Sequence, residues 1–375
     1  MRLSAHMIAV VPAHTAPRMA RALGLRTAVV LVLVLVLPTH ADGPAPGPAW
    51  RMIGHDVRNM RSQPFEWRIG PGNAARLAPK WVLTTAGDVS ATPAVSGAEG
   101  EDTTERRHHG HAVYVPDWGG QLWKVNAETG EVLWSRTIAD YTGIPGALSR
   151  TSPVLAHGLV YVGDLNGNLL AVEAATGDLR WRTRLDPHPA AIVTASPIVL
   201  GDRLYIGVSS NETAFARQTP GYQCCTFRGS LLALDAHTGR IVWQTFVLPD
   251  NGGQPGGFAG GAFVNPPALD RGHGLVYGGA GQLYTWQTPD PQGAPDLAAL
   301  TVANGVLYGG SMAHTEDQMY ALDAATGAIL WRFAAGGSVV AGPAVAPGIV
   351  YWGSGYARTG GVGNNKFYAF SLDGR

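Results

Sequence analysis

The residues with the most distinctive chemistry are two adjacent cysteines, Cys224 and Cys225, in the stretch TPGYQCCTFRGS (Thr219–Ser230). The 375 residues contain 2 cysteines in total. Adjacent thiols can form a disulfide with each other, remain as two free buried thiols, or bridge to another chain. The choice depends first on the compartment, because disulfides persist outside the cytoplasm and are reduced within it.

The N-terminal segment is organised like a secretory signal peptide. Arginines precede the apolar run AVVLVLVLVL (Ala28–Leu37), and small residues suited to cleavage follow near Ala41. This run is shorter than the roughly 20 residues that a membrane-spanning helix needs. We therefore predict a signal peptide at 1–41, a Pro- and Gly-rich linker at 42–49 and a periplasmic or secreted mature chain, with an uncleaved anchor as the alternative.

The composition argues against one class of partner and favours one class of fold. The chain has 27 basic and 27 acidic side chains and thus no net charge, whereas binding to nucleic-acid phosphates needs a basic excess. Its 50 glycines, 26 prolines and 11 tryptophans, with 14% charged residues, are typical of many short strands joined by tight turns. We expect no nucleic-acid partner and, after leader cleavage, no membrane span.

A repeated segment predicts how these strands are organised. Each copy has apolar residues, Asn, Asp or Glu, then Ala, a variable residue, Thr-Gly, three residues and Trp. The copies are Leu122–Trp134, Leu169–Trp181, Leu231–Trp243 and Met319–Trp331. A second strand pair, such as SPVLAHGLVYVGD, precedes each copy, so one unit has four short strands that must pack on neighbouring units. The repeat predicts an all-β protein, a β-propeller over residues 50–375.

The spacing of the units predicts a ring with one incomplete blade. The strand pair in Asn265–Gly281 is followed by Pro- and Gly-rich residues and then by another first pair, so half a blade is missing there. The chain ends on a third strand, KFYAFSLDGR, and Arg76–Gly87 resembles the fourth strand that this blade lacks. We count five blades, one of them closed by the N-terminal strand, and a half-blade. Closure would cover an exposed sheet edge.

The repeat Ala-x-Asp-x-x-Thr-Gly-x-x-x-Trp resembles that of pyrroloquinoline quinone (PQQ) propellers, which have eight blades. Three segments resemble polyvinyl alcohol dehydrogenase and its relatives: WRMIGHDVRNMRSQP, SSNETAFARQTPGYQCCTFRGSLLALD and VYWGSGYARTGGVGNNKFYAFSL. The resemblance implies a PQQ- and Ca²⁺-dependent dehydrogenase of secondary alcohols. Its electrons would pass to a separate acceptor such as a cytochrome c, because the sequence has no Cys-x-x-Cys-His haem motif. A non-catalytic propeller that acts as a binding scaffold is the alternative.

The same resemblance implies a set of cofactor-binding residues. Cys224 and Cys225 would form a vicinal disulfide that lies against one face of PQQ as a rigid lid. Arg150 would hold a PQQ carboxylate, with a solvated strand-end arginine as the alternative. The other candidates are side chains near strand entries or beside the cysteines: Thr151, Ser152, Thr194, Ser196 and Arg228. Turn capping is the alternative for Thr194 and Ser196.

The resemblance also implies a metal site and shows departures from the family pattern. Glu212 matches the family's Ca²⁺-binding glutamate, with an exposed loop acid as the alternative. Gln282 lies where the family has an asparagine ligand, and Phe263 lies near the place of its stacking Trp. No Asp can be assigned as the base. Because the stacking Trp, the Asn ligand and the base are all missing, we predict weak PQQ binding and little or no turnover. The histidine-rich stretch RRHHGHA (Arg106–Ala112) is interpreted as a solvated loop rather than a metal site.

Overall fold

The computed structural model describes most of the chain beyond the predicted linker. The described residues are 8–9, 49–97, 111–246, 250, 252–254, 266–270, 275–278, 291, 298–324, 326–358 and 360–375. The predicted leader and linker, apart from 8–9 and Ala49, lie outside these residues, as do 106–110 of the histidine-rich stretch, Phe263 and Gln282. Within the described part, no helix is long and apolar enough to cross a membrane.

Short strands dominate the described residues. Three strands lie before the first blade: β1 (Ile8–Ala9), β2 (Ser62–Gln63) and β3 (Leu77–Thr84). Blade 1 contains β4 (Ala94–Val95), β5 (Ala112–Pro116), β6 (Gln121–Asn126) and β7 (Val132–Thr137). Blade 2 contains β8 (Val154–Ala156), β9 (Leu159–Gly163), β10 (Asn168–Glu173) and β11 (Leu179–Arg184). Blade 3 contains β12 (Ala191–Ile192), β13 (Ile198–Leu200), β14 (Arg203–Ser210), β15 (Ser230–Asp235) and β16 (Ile241–Phe246).

The remaining strands form a half-blade and two further blades. The half-blade contains β17 (Ala268–Asp270) and β18 (Leu275–Gly278), and β1 pairs with β18. Blade 4 contains β19 (Thr301–Ala303), β20 (Val306–Gly310), β21 (Met319–Asp323) and β22 (Ile329–Phe333), and β2 pairs with β19. Blade 5 contains β23 (Ala344–Ala346), β24 (Ile349–Ser354), β25 (Lys366–Leu372) and β3. Two short helices, α1 (Ile138–Thr142) and α2 (Glu212–Gln218), follow β7 and β14.

The N-terminal strand closes the last blade, as predicted. β3 pairs antiparallel with β25, from Lys366 opposite Thr84 to Leu372 opposite Leu77. The first strands of the blades contact one another in turn: β19 contacts β23, β23 contacts β4, β4 contacts β8, and β8 contacts β13. The predicted propeller of five blades and a half-blade is confirmed for the described residues.

The repeats of blades 2 and 3 each join their blade to the preceding one. The indole Nε1 of Trp134 donates to the carbonyl of Ala174 in the repeat of blade 2, and Trp181 donates likewise to Ala236 in blade 3. Both the backbone conformation and the space available require glycine in the repeat, as Gly239 shows. Gly239 has a φ of +71°, and a Cβ there would lie 2.5 Å from the Trp181 ring. The repeated Ala, Gly and Trp therefore encode contact between blades as well as the turn.

The segment from Trp50 to Gln63 connects the inner strands of the ring. It forms hydrogen bonds with the first strands of four blades and of the half-blade: Trp50 with Val95, Arg51 with Leu155, Val57 with Leu269, Arg61 with Val302, and Gln63 with Val345. Met52 and Val57 also pack against the apolar cluster of blade 3 and the half-blade. The segment therefore holds the first strands together on both sides of the incomplete blade.

Candidate cofactor site on the upper face

The first strand of each blade begins, and its second strand ends, on the same side of the ring. We call this side the upper face. Arg150, Thr151 and Ser152 precede β8 on this face, and Thr194 and Ser196 precede β13. Glu212, Cys224, Cys225 and Arg228 lie in the long connection between β14 and β15. The topology therefore places all the described candidate residues on one face of the propeller.

Two of the predicted hydroxyl residues link the first strands of neighbouring blades. The Ser152 hydroxyl accepts a hydrogen bond from the Thr92 backbone N–H at 2.9 Å, and the Ser196 hydroxyl accepts from the Ser152 N–H at 2.9 Å. Thr151 is buried and its hydroxyl accepts from the Gly163 N–H at 2.9 Å. These contacts favour the capping interpretation for Ser196 and give Ser152 and Thr151 structural roles too.

Thr194 differs from these three residues. Its Oγ1 atom is buried and has no hydrogen-bond partner among the described residues. A buried hydroxyl without a partner costs free energy, so such groups are normally paired with a ligand, water or protein atom. Thr194 is therefore a predicted cofactor contact whose polar atom remains available.

The predicted Arg150 forms a cationic cluster with Trp118 and Arg358, two residues that sequence reasoning missed. The Arg150 guanidinium lies 5.8 Å from the centre of the Trp118 ring, and the Arg358 guanidinium lies 4.7 Å from it. The Trp118 indole N–H donates to the Ser90 hydroxyl at 2.7 Å, and Tyr356 packs edge-on against the ring. None of the ion pairs among the described residues includes Arg150 or Arg358. Guanidinium groups bind carboxylates through paired hydrogen bonds.

The two cysteines form the predicted disulfide with each other. Their loop is tied down by Glu212, whose carboxylate accepts from the Thr226 and Phe227 backbone N–H groups at 3.0 and 2.7 Å. The hydroxyls of Tyr222 and Thr226 donate to the same carboxylate at 3.0 and 3.1 Å. Glu212 therefore fixes the loop that carries the disulfide.

The surroundings of Glu212 do not fit a Ca²⁺ ligand. Its side chain is buried, which excludes the exposed-acid interpretation. Burial by itself would raise the pKa of Glu212, but the hydrogen bonds from Thr226, Phe227 and Tyr222 outweigh it and lower the pKa below its ordinary value. Ca²⁺ needs several oxygen ligands, whereas the described neighbours of Glu212 turn N–H and O–H donors toward it. These contacts do not favour the predicted Ca²⁺ ligand role of Glu212, and the predicted role of Gln282 lies outside the described residues.

The Arg228 guanidinium contacts Phe246 and Asp250, which lie near it in the chain. Its guanidinium lies 4.1 Å from the centre of the Phe246 ring and 3.4 Å from a carboxylate oxygen of Asp250. The carboxylate of Asp250 already balances its charge. Arg228 is therefore a weaker candidate for a cofactor carboxylate than Arg150.

Three aspartates of the upper face are engaged in loop structure. Asp88 accepts from the Ala357 and Asn364 N–H groups, each at 2.7 Å. Asp117 and Asp164 are buried and accept two or more hydrogen bonds each, and burial raises the pKa of both carboxyls in spite of those bonds. None of these three presents a free carboxylate, so the structure assigns no catalytic base among them.

The disulfide gives a direct prediction for the purified protein. Its intact mass should be lower than that of the reduced form by the mass of two hydrogens, and thiol reagents should label neither cysteine in denaturant without reductant. The Cys224→Ser variant should expose one reactive thiol and serves as the matched control. Two reactive thiols in the unreduced parent chain would contradict the bond.

Comparison with known sequences identifies the repeat. The family model described as outer membrane protein assembly factor BamB matches residues 78–226 and again residues 227–375. A polyvinylalcohol dehydrogenase from a Pseudomonas species is 29% identical over 250 residues, which cover 63% of this chain and 36% of the relative. One from Sphingopyxis strain 113P3 is 31% identical over 239 residues, which cover 59% and 32%. The match thus spans about a third of the length of these curated relatives.

Comparison with solved structures shows the fold. Quinohemoprotein alcohol dehydrogenase ADHIIG from Pseudomonas putida HK5 has a TM-score of 0.64 at 14% identity, over 88% of this chain and 81% of that one. The quinohemoprotein alcohol dehydrogenase from Comamonas testosteroni has a TM-score of 0.61 at 16% identity, over 88% and 81%. The predicted resemblance to PQQ-type propellers and to polyvinyl alcohol dehydrogenases is confirmed.

Proposed function

Since the chain belongs to the repeat family described as outer membrane protein assembly factor BamB, we propose that it is an exported propeller of the quinoprotein alcohol dehydrogenase type. It binds PQQ on the upper face and oxidises secondary alcohols such as those of polyvinyl alcohol. The similar polyvinylalcohol dehydrogenases support the substrate class. The N-terminal basic and apolar pattern supports export.

The observation that carries this proposal is the cationic cluster of Arg150 and Arg358 on Trp118, on the same face as the Cys224–Cys225 disulfide. PQQ is a flat quinone with carboxylate groups, so it needs cationic partners at its edge and apolar surfaces against its faces. The unpaired Thr194 hydroxyl adds a polar contact. These described residues fit PQQ, whereas those around Glu212 do not fit Ca²⁺.

The residues of the chain would act mainly by binding and positioning. When bound, PQQ supplies an acceptor for the two electrons and two protons that a secondary alcohol loses on becoming a ketone. Arg150 and Arg358 would hold carboxylates, and the disulfide would cover one ring face and exclude water. Glu212 would keep the disulfide loop in place through its four donors. A separate acceptor such as a cytochrome c would remove the electrons.

Reconstitution with PQQ tests the catalytic part of the proposal. We expect slow, PQQ-dependent reduction of a dye with polyvinyl alcohol or 2-propanol as the substrate. Turnover should be slow because no base is assigned, and the lack of a general base costs about 10²–10⁴-fold in rate. Rapid turnover that Glu212→Ala abolishes would show that a complete catalytic site exists. The prediction of slow turnover would then be wrong.

The alternative function, a non-catalytic binding scaffold, is favoured by one observation. The half-blade has only β17 and β18 as consecutive strands in the described part of the chain, where a complete blade has four. A protein that folds but neither binds PQQ nor oxidises alcohols would support the scaffold. PQQ binding without turnover would support the binding site alone.

A further inference from the structure

Two histidines and an aspartate meet on the lower face, opposite the upper face. His157 lies in the turn between β8 and β9, Asp202 in the turn between β13 and β14, and His237 in the turn between β15 and β16. First strands end and third strands end on this face, so the three turns converge. His157 comes from blade 2, while Asp202 and His237 come from blade 3.

The three side chains are close enough to share one ion. One ligating atom from each residue lies within 4.8 Å of the other two. His237 Nε2 lies 3.0 Å from Asp202 Oδ1, and the two imidazole rings are 4.5 Å apart between centres. Ligand atoms around a tetrahedral Zn²⁺ lie about 3.3 Å apart, given metal–ligand bonds of about 2.0–2.1 Å. All three side chains are exposed, so small rotations can bring them to that spacing.

His157 also has the outer contact that metal-binding histidines typically have. Its Nε2 lies 2.9 Å from the Gly201 carbonyl oxygen. A carbonyl can only accept, so this contact places a proton on Nε2 and leaves Nδ1 of the neutral ring with a free lone pair. Histidines that bind metals usually donate their second N–H to such a carbonyl or carboxylate, which fixes the tautomer.

An open cleft lies beside the two histidines. It has a volume of about 250 Å³ and is lined by His157, Leu159, Glu173, Arg180 and His237. Glu173 and Arg180 form an ion pair of 3.4 Å along its wall. Three protein ligands leave at least one position of a tetrahedral ion for water, and the cleft gives that water space.

We propose that His157, Asp202 and His237 form a site for a divalent transition-metal ion of the Zn²⁺ type. The set has imidazole nitrogens and a carboxylate, which suit Zn²⁺ and its neighbours rather than Ca²⁺ or Mg²⁺. The ion links blade 2 to blade 3, so it stabilises their lower junction. This site is independent of the cofactor site and of the proposed function.

Zn²⁺ titration of the full chain without a histidine tag tests the site. Isothermal calorimetry should show one Zn²⁺ per chain at this site, and His237→Gln or Asp202→Asn should weaken it by at least about tenfold. Zn²⁺ should raise the melting temperature of the parent chain, because a ligand of the folded state stabilises it, and should raise that of the variants much less. Since the altered side chains are exposed, the variants should melt like the parent without Zn²⁺.

The histidine-rich stretch provides the matched control. The triple variant His108→Gln, His109→Gln and His111→Gln removes three imidazoles from another place in the chain, one more than the proposed site contains. It should keep the Zn²⁺ affinity and the thermal shift of the parent. Absence of Zn²⁺ binding by the parent, binding that His237→Gln and Asp202→Asn leave unchanged, or binding that the triple variant abolishes would each overturn the proposal.

Discussion

A chain that begins after Gly87 is expected to lose its cooperative unfolding transition and to aggregate. Such a chain lacks β3, so β25 would expose its hydrogen-bonding edge from Lys366 to Leu372. Unpaired strand edges bind other chains, which promotes aggregation. The measurement is thermal unfolding by circular dichroism, together with light scattering.

The truncation also removes contacts that β3 makes with the neighbouring blades. Trp81 in β3 packs against Tyr351 and Phe367, and its indole N–H donates to the Ala127 carbonyl of blade 1 at 3.0 Å. On the other side, the Trp331 indole N–H of blade 4 donates to the Leu77 carbonyl at 2.9 Å. β3 thus connects blade 5 to both neighbouring blades. Trp81→Ala in the intact chain should cost about 3 kcal/mol in unfolding free energy, the lower end of the range for a core tryptophan, because Trp81 is partly buried.

A chain that begins at Ala49 is the control for the truncation. It keeps β3 and the segment from Trp50 to Gln63, so it should melt like the parent. A chain lacking residues through Gly87 that melted at the parental temperature with the same cooperativity would show that β3 does not close the ring.

Replacement of Glu212 by alanine is expected to release the loop that carries the disulfide. The change removes the acceptor for the Thr226 and Phe227 backbone N–H groups and for the Tyr222 hydroxyl. Each buried donor left without an acceptor costs about 1–3 kcal/mol, so the loop should open locally while the blades remain folded. Trypsin should then cleave after Arg228 at least about tenfold faster than in the parent chain.

The effect of Glu212 should depend on pH in a defined direction. Its hydrogen bonds hold the pKa of the folded state below the ordinary value. A carboxylate with a lowered folded-state pKa stabilises the fold fully above its unfolded pKa, about 4.3, and that stabilisation is lost as the pH falls through the folded-state pKa. The difference in cleavage rate or melting between parent and Glu212→Ala should therefore be largest near neutral pH and shrink in acid.

Two controls separate the loop anchor from a Ca²⁺ ligand. Glu131→Ala removes an exposed glutamate and should leave cleavage after Arg228 unchanged. Addition of a Ca²⁺ chelator to the parent chain should also leave it unchanged, because the described contacts of Glu212 are all with protein donors. Faster cleavage of the parent in chelator, to the level of Glu212→Ala, would contradict the anchor and support the predicted Ca²⁺ site.

The strand organisation could be predicted because the sequence repeats. The Thr-Gly turns and tryptophans recur in the units, and a third strand without a fourth near the C-terminus predicts that Arg76–Gly87 completes the blade, where the structure has β3 at Leu77–Thr84. The disulfide was predictable because Cys224 has no other cysteine than Cys225 to pair with in this chain. These features depend on local patterns or on counting, which sequence alone provides.

Arg150 was predicted from its place before a first strand, but its partners in the cationic cluster, Trp118 and Arg358, could not be predicted because they share no sequence pattern with it. Trp118 follows β5 and Arg358 follows β24, and the ring closure brings these distant loops together. The contacts of Glu212 could not be predicted either, because they depend on the path of the loop between α2 and β15. The position of Gly239 could have been interpreted from the sequence. The constant spacing of Gly and Trp in the four repeats could have indicated that these residues pack between blades.

Binding of PQQ to the purified protein tests the central claim most directly. Equilibrium dialysis should show saturable binding of one PQQ per chain, and Arg150→Ala should weaken it about 10–100-fold, the usual range for loss of a hydrogen bond to a charged group. Arg180→Ala, which removes an exposed arginine from the lower face, should bind PQQ like the parent. Absence of saturable binding by the folded parent, or equal binding by the Arg150→Ala and Arg180→Ala variants and the parent, would contradict the proposed site.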